Sequence, residues 1–143
     1  MRAVALRIVF AVLLLGLPVT SGAGTLANQV GFKISTSFVV GAAILPAGGY
    51  TITGDPDDPM SLLVTSDDHT HAVWIQAEPL DAESPRAKTE IIFSKYGDTM
   101  VLKQIWLQGT TSGYLVQTGH AEQKAAKAGP PTKQSVPATT KQK

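Results

Sequence analysis

Apolar and polar positions alternate most regularly over residues 32–40. Phenylalanine, isoleucine and valine share one parity with a single threonine, and lysine and serine occupy the intervening positions in the first part of the run. Because successive side chains of a strand point to opposite faces, this pattern predicts one continuous strand with a buried face. Residues 45–48 have the composition of a type I turn, with Pro46 at its second position. The alternation restarts over residues 50–53, which predicts a second strand.

Shorter apolar runs continue this rhythm, and turn residues separate them. Gly97 and Asp98 form a two-residue connection, and the order glycine then aspartate is typical of a II′ hairpin turn. About seven strands at this spacing predict an all-β fold, either a small antiparallel β-sandwich or a β-barrel. Its expected large core residues are Phe32, Phe38, Tyr50, Trp74, Phe93, Tyr96, Trp106 and Tyr114. The further predicted strands are residues 61–65, 71–77, 89–96, 99–107 and 114–117.

The two ends of the chain differ from this central region. Residues 1–23 have two arginines, a short apolar run and a small-residue ending, as in a secretory signal peptide. The apolar run has about ten residues, whereas a membrane-spanning helix needs roughly 20. Residues 24–123 form the predicted β domain, which ends in a short helical turn that begins near His120. We expect the basic tail, residues 124–143, to be disordered, since it holds few large apolar side chains.

Charge is divided between the domain and the tail. Residues 24–123 have five basic and eleven acidic groups, a net charge of −6, and nothing in this acidic domain indicates nucleic-acid binding. The tail has five lysines and no acid. These lysines predict attraction to an anionic component of the cell envelope, with a purely solubilising role as the alternative. They are Lys124, Lys127, Lys133, Lys141 and Lys143.

Several motifs resemble those of a group of small exported uncharacterised proteins that is abundant in Acidobacteria. The resemblance covers most of residues 30–123, and the sequence departs from it at Thr36, where the group has a large apolar residue. It implies an exported, bacterial, single-domain β protein, and it implies no activity, ligand or catalytic residue. The motifs are F-x-I-x-x-x-F-x-V-G from Phe32, L-P-A-G-x-Y-x-I from Leu45, I-F-x-x-Y-G-D from Ile92, L-x-x-I-W from Leu102 and the pair Ala121 and Glu122.

The sharpest chemical candidate is a cluster of two histidines and two aspartates. His69 and His71 would point the same way on an extended segment, and with Asp68 they offer donors of the kind that zinc or copper binds. His120 is a further candidate donor for this set. The alternative is a polar hairpin tip without a metal, because adjacent aspartates are typical turn residues.

Enzyme signatures are scarce in this sequence. It has no cysteine, no Gly-x-Ser-x-Gly elbow, no His-Glu-x-x-His motif and no phosphate-binding glycine loop, and it indicates no cofactor. The sequence therefore favours a non-enzymatic exported domain, periplasmic or extracellular, with a binding or structural role in the bacterial cell envelope. The alternative is a secreted metal-binding protein or hydrolase that uses His69, His71 and a loop carboxylate such as Glu78, Asp81 or Glu83.

Overall fold

The computed structural model describes residues 29–141. The predicted signal peptide and Lys143 lie outside this range. Within residues 29–141, ten strands, one helix and a 3₁₀ turn (Ala126–Ala128) follow one another. They are β1 (Gln29–Ile34), β2 (Phe38–Val40), β3 (Ala43–Leu45), β4 (Gly48–Gly54), β5 (Ser61–Ser66), β6 (Ala72–Asp81), β7 (Glu90–Tyr96), β8 (Thr99–Trp106), β9 (Ser112–Val116), α1 (His120–Ala125) and β10 (Thr132–Lys141).

Eight of these strands close into an antiparallel barrel. Its order is β8, β7, β10, β1, β4, β5, β6 and β9, and β9 pairs again with β8. The hairpin of β2 and β3 extends the sheet outside this ring, because β2 pairs with β8 in parallel. The all-β prediction is confirmed, and of the two predicted architectures the chain adopts the barrel.

The predicted strand over residues 32–40 is wrong as a single element. The chain bends at residues 35–37, all three of which are exposed, and β1 and β2 lie on different neighbours. Residues 35–37 are three consecutive hydroxyl residues, which have little apolar surface to bury and are common in turns. The alternation of apolar and polar positions continues through them and therefore does not indicate the bend. Thr36, which departs from the resembled group, lies inside this bend.

Aromatic side chains fill the centre of the barrel. The rings of Phe32, Phe38, Tyr50 and Phe93 pack with centroids 5.0 to 6.1 Å apart, in stacked, tilted and edge-to-face arrangements. An eight-stranded barrel is just wide enough for its own side chains to fill it. The interior is therefore occupied by the core.

Trp74 is the expected core residue that the structure places outside. On β6 the inward positions are Ile75 and Ala77, both buried, so Trp74 has the opposite parity and is 59% exposed. It faces Leu63 across the β5–β6 pair. Tyr96 is half-buried, and the other predicted aromatic core residues are buried.

The predicted disordered tail is also wrong over half of its length, because residues 132–141 form β10 as part of the barrel wall. Only Val136 and Ala138 of this strand pack against the core. Ladders to β7 and β1 hold it, and Ser135 donates a hydrogen bond of 2.5 Å to Glu90. The main chain supplies most of this stabilisation, which explains why side-chain composition does not indicate a strand.

The short helix α1 lies against the outside of β7 and β8. Its buried Glu122 accepts hydrogen bonds from Tyr96 at 3.1 Å and from the Lys103 ammonium at 3.0 Å. Lys103 is the extra residue of a β-bulge in β8, since its neighbours Leu102 and Gln104 pair with consecutive residues of β7. Within residues 29–141, no helix has the length and apolar character to cross a membrane.

Candidate functional site

The histidine-rich segment forms the tip of the β5–β6 hairpin. Asp68 accepts hydrogen bonds at its Oδ1 atom from the hydroxyls of Ser66 and Thr70, both at 2.7 Å, and from the Thr70 N–H at 3.1 Å. These bonds, with the Ser66 hydroxyl first, lower the pKa of the Asp68 carboxyl to about 2. The Asp68 carboxylate therefore stabilises the turn in which it lies.

The same tip does not present the donor set of the metal hypothesis. His69 has a φ of +59°, so the segment is a turn and its histidines do not share the face of an extended strand. The Nδ1 atom of His71 lies 2.9 Å from the Thr70 hydroxyl. Nowhere in residues 29–141 do three or more His, Cys, Asp or Glu side chains come together as metal ligands would. His120 lies on α1, in another part of the chain.

The residues of the hydrolase hypothesis are also dispersed. Glu78 and Asp81 are exposed on β6, and Glu83 is exposed on the loop that follows. The neighbouring hydroxyl of Ser66 donates to Asp68, and its contacts with His71 are to the main chain of that residue. The structure thus brings none of these groups into a relay.

A depression of mixed polarity lies on the outer wall where β10, β1 and β4 run side by side. It has a volume of about 460 Å³, and the backbone of Gly31 forms part of its floor. Gly49 lies on the same outward face, since it pairs with Lys33. We call this depression the outer groove. Its lining includes Lys33, Tyr50, Asp67, Pro137, Thr139 and Lys141.

Two glycines let charged groups lie close to the barrel wall. A Cβ atom at Gly31 would lie 2.9 Å from Cε of Lys141, and one at Gly49 would overlap the Asp67 carboxylate. The Asp67 N–H donates to the Gly49 carbonyl at 3.0 Å, and this bond fixes the hairpin tip over β4. A glycine inside a strand is typical of such a close approach.

The charged groups of the outer groove remain available to a ligand. Lys33 and Lys141 form no ion pair within residues 29–141, and Asp67 accepts only a long hydrogen bond, 3.4 Å, from the Thr51 hydroxyl. The groove thus offers two ammonium groups and one carboxylate, with Lys141 and Asp67 held close to the barrel wall. Such a set suits a ligand with carboxylates and hydroxyls.

Of the charged groups of the outer groove, the sequence pointed to Lys141 as one of the tail lysines and to Asp67 as one of the two aspartates beside the histidines, and it did not bring them together. The signal that points to the groove is a pair of glycines, Gly31 and Gly49, inside or beside alternating runs. Nothing in the sequence places Lys141 over Gly31, because that contact depends on where β10 enters the barrel.

Comparison with known proteins adds no further constraint. No protein-family model matches the chain, and neither a curated protein nor a solved structure does.

Proposed function

We propose that this protein is an exported, non-enzymatic domain that binds a carboxylate-bearing glycan of the bacterial cell envelope through the outer groove. The observation that carries the proposal is that one groove of the outer wall contains two ammonium groups, Lys33 and Lys141, neither of which forms an ion pair within residues 29–141. The lysine ammonium groups attract carboxylates, and the Asp67 carboxylate offers an acceptor for sugar hydroxyls. Export rests on residues 1–23, which have the composition of a signal peptide.

Charge variants test the binding proposal. We expect the double variant Lys33→Gln, Lys141→Gln of residues 24–143 to bind purified peptidoglycan sacculi at least about tenfold more weakly in a co-sedimentation titration. The matched control is Lys124→Gln, Lys127→Gln, which removes the same charge on and beside α1. Equal losses in the two variants would indicate attraction to the tail in general and would contradict a groove-specific site.

A second arm separates a glycan from a lipid surface. Vesicles of phosphatidylglycerol and phosphatidylethanolamine present anionic headgroups without a sugar polymer. We expect binding to sacculi and weak, salt-sensitive binding to vesicles. Preferential binding to vesicles, lost in the groove variant, would replace the glycan with a lipid headgroup.

Export has a separate measurement. Intact-mass analysis of the protein secreted by a bacterial host that expresses the full chain should give a mature N-terminus at Gly24. A cytoplasmic product that retains Met1 would contradict the export part of the proposal.

A further inference from the structure

The strand β10 is paired on one side only over its first half. Residues 132–137 pair with β7, and residues 138–141 pair with β1. In the β1 ladder Ala138 lies opposite Phe32, so the next position of the ladder would be Pro137 opposite Lys33. Proline has no N–H with which to continue the ladder. Pro137 is therefore the point at which β10 and β1 separate.

The parity of β10 shows which of its main-chain groups face the resulting gap. The Ala138 N–H donates to the carbonyl of Thr89 at 3.1 Å, on the β7 side. Since hydrogen-bonding direction alternates along a strand, Gln134 and Val136 face β7 as well, whereas Lys133 and Ser135 face the gap. The N–H and C=O groups of Lys133 and Ser135 have no main-chain partner within residues 29–141.

We call this gap the seam slot. It has a volume of about 350 Å³ and opens at the mouth of the barrel beside the β7–β8 turn. Inside it are the apolar side chains of Ile34, Met100 and Val136, next to the unpaired edge of β10. Its remaining lining residues are Lys33, Ser35, Thr36, Lys95, Asp98 and Gln134.

The charge around the seam slot is positive. Lys33 and Lys95 line it with the single carboxylate of Asp98, and Lys133 adjoins the lining residue Gln134 on β10. None of these three lysines forms an ion pair within the described part of the chain. An acidic partner would thus be attracted, and a basic one repelled.

We propose that the seam slot binds an extended, acidic segment of another polypeptide, which adds as a strand to the free edge of β10. Its main chain bonds to Lys133 and Ser135, its alternate apolar side chains contact Ile34, Met100 and Val136, and its carboxylates pair with the lysines. This is the peptide-recognition mode of strand addition, in which main-chain bonds supply affinity and alternate side chains supply specificity. The site goes beyond the glycan-binding outer groove and does not depend on it.

Pairing of this edge with the same edge of a second copy is disfavoured. Two β10 edges would bring Lys133 of each copy together, and like charges oppose such a pair. The other exposed edge, β3, has three residues and is followed by Pro46, and both features limit strand addition.

The test uses a fluorescent seven-residue peptide in which glutamate alternates with valine. We expect it to bind residues 24–143 in an anisotropy titration, more weakly as salt increases. A peptide with lysine in place of glutamate should bind at least about tenfold more weakly. An N-methylated peptide that cannot donate main-chain hydrogen bonds should lose binding to the same degree.

Two substitutions of Lys133 distinguish the contribution of its main-chain N–H from that of its side-chain charge. Lys133→Pro removes an N–H that faces the slot and leaves the β7 ladder intact, and we expect it to abolish peptide binding without a change in melting temperature. Lys133→Gln keeps that N–H and should weaken binding only a few-fold. The N-methylated peptide gives the same information with the unaltered protein if Lys133→Pro fails to fold.

Three results would overturn the proposal. They are absence of binding at millimolar peptide, equal affinity for the N-methylated peptide, and a concentration-dependent dimer that Lys133→Pro dissolves. The last result would assign the edge to a second copy. None of them bears on sacculus binding through Lys141, which the Lys133 variants leave intact.

Discussion

Phe38 is the residue around which the aromatic core is organised. It is buried and packs edge-to-face with Tyr50 and Phe93, at centroid distances of 5.0 and 5.7 Å. We expect Phe38→Ala to lower the free energy of unfolding by about 3 to 5 kcal/mol, because it leaves a cavity among rings that cannot collapse into it. Denaturant titration measures this loss.

Trp74 is the matched control for that substitution. It is as large as any core residue but lies 59% exposed on the outer wall, opposite Leu63. We expect Trp74→Ala to cost less than about 1 kcal/mol, since it removes one cross-strand contact and opens no cavity. A loss as large as that of Phe38→Ala would contradict the placement of Trp74 outside the barrel.

Glu90 makes the stability of the fold depend on pH. Its pKa is lowered below the usual range, first by the hydrogen bond from Ser135 and then by that from Arg86, whose charge also contributes. A carboxyl whose pKa falls on folding stabilises the folded state above its unfolded pKa, and that contribution is lost as pH falls through its folded pKa. We expect the denaturation midpoint to decrease below about pH 4. Glu90→Gln should reduce this dependence on pH, and an unchanged profile would contradict the role of Glu90.

At the scale of elements, β10 joins the two ends of the barrel wall. Its first half extends the β7 side and its second half extends the β1 side, and the transition is at Pro137. The same proline leaves the edge of Lys133 and Ser135 open, so it accounts for the seam slot, whereas the two ladders close the barrel. The tail lysines Lys133 and Lys141 are thereby assigned to separate sites.

We therefore expect removal of β10 to unfold the whole barrel, and not merely to shorten the sheet by one strand. A chain that ends at Gly129 exposes the edges of β1 and β7, and with them the buried Phe32 and Phe93. We expect this truncated chain to lose its near-ultraviolet circular dichroism and to aggregate in size-exclusion chromatography. A synthetic peptide of residues 130–143, added at excess, should restore the native spectrum. A well-folded truncated monomer would contradict closure by β10.

At the scale of the whole molecule, both proposed binding sites are on the wall and the mouth of the barrel, because the aromatic core occupies its interior. The outer groove and the seam slot both border β10, and Lys33 lines each of them. The two sites have different chemistry, since the groove offers side-chain charges over glycine and the slot offers main-chain hydrogen bonds. A glycan and a polypeptide could thus be bound by neighbouring parts of one small domain.

The sequence by itself determined the local features of this fold. Alternation indicated which side chains share a face in β4. The apolar runs on either side of Gly97 and Asp98 indicated a hairpin, and the order of these two residues indicated its turn, in which Gly97 has a φ of +58° and Asp98 does not have a positive φ. These features depend on neighbours along the chain, so composition and period are enough to predict them.

Only the tertiary structure decided where these pieces pair. In the folded protein, residues 32–40 belong to two strands that pair with different neighbouring strands. Trp74 faces outward, and residues 132–141 lie between β1 and β7. Backbone hydrogen bonds hold β10 in place. Every residue except proline can donate and accept such bonds, so the amino-acid composition of a segment does not reveal that it forms them. The outer groove and the seam slot depend on that insertion, and for this reason neither could be predicted from the sequence.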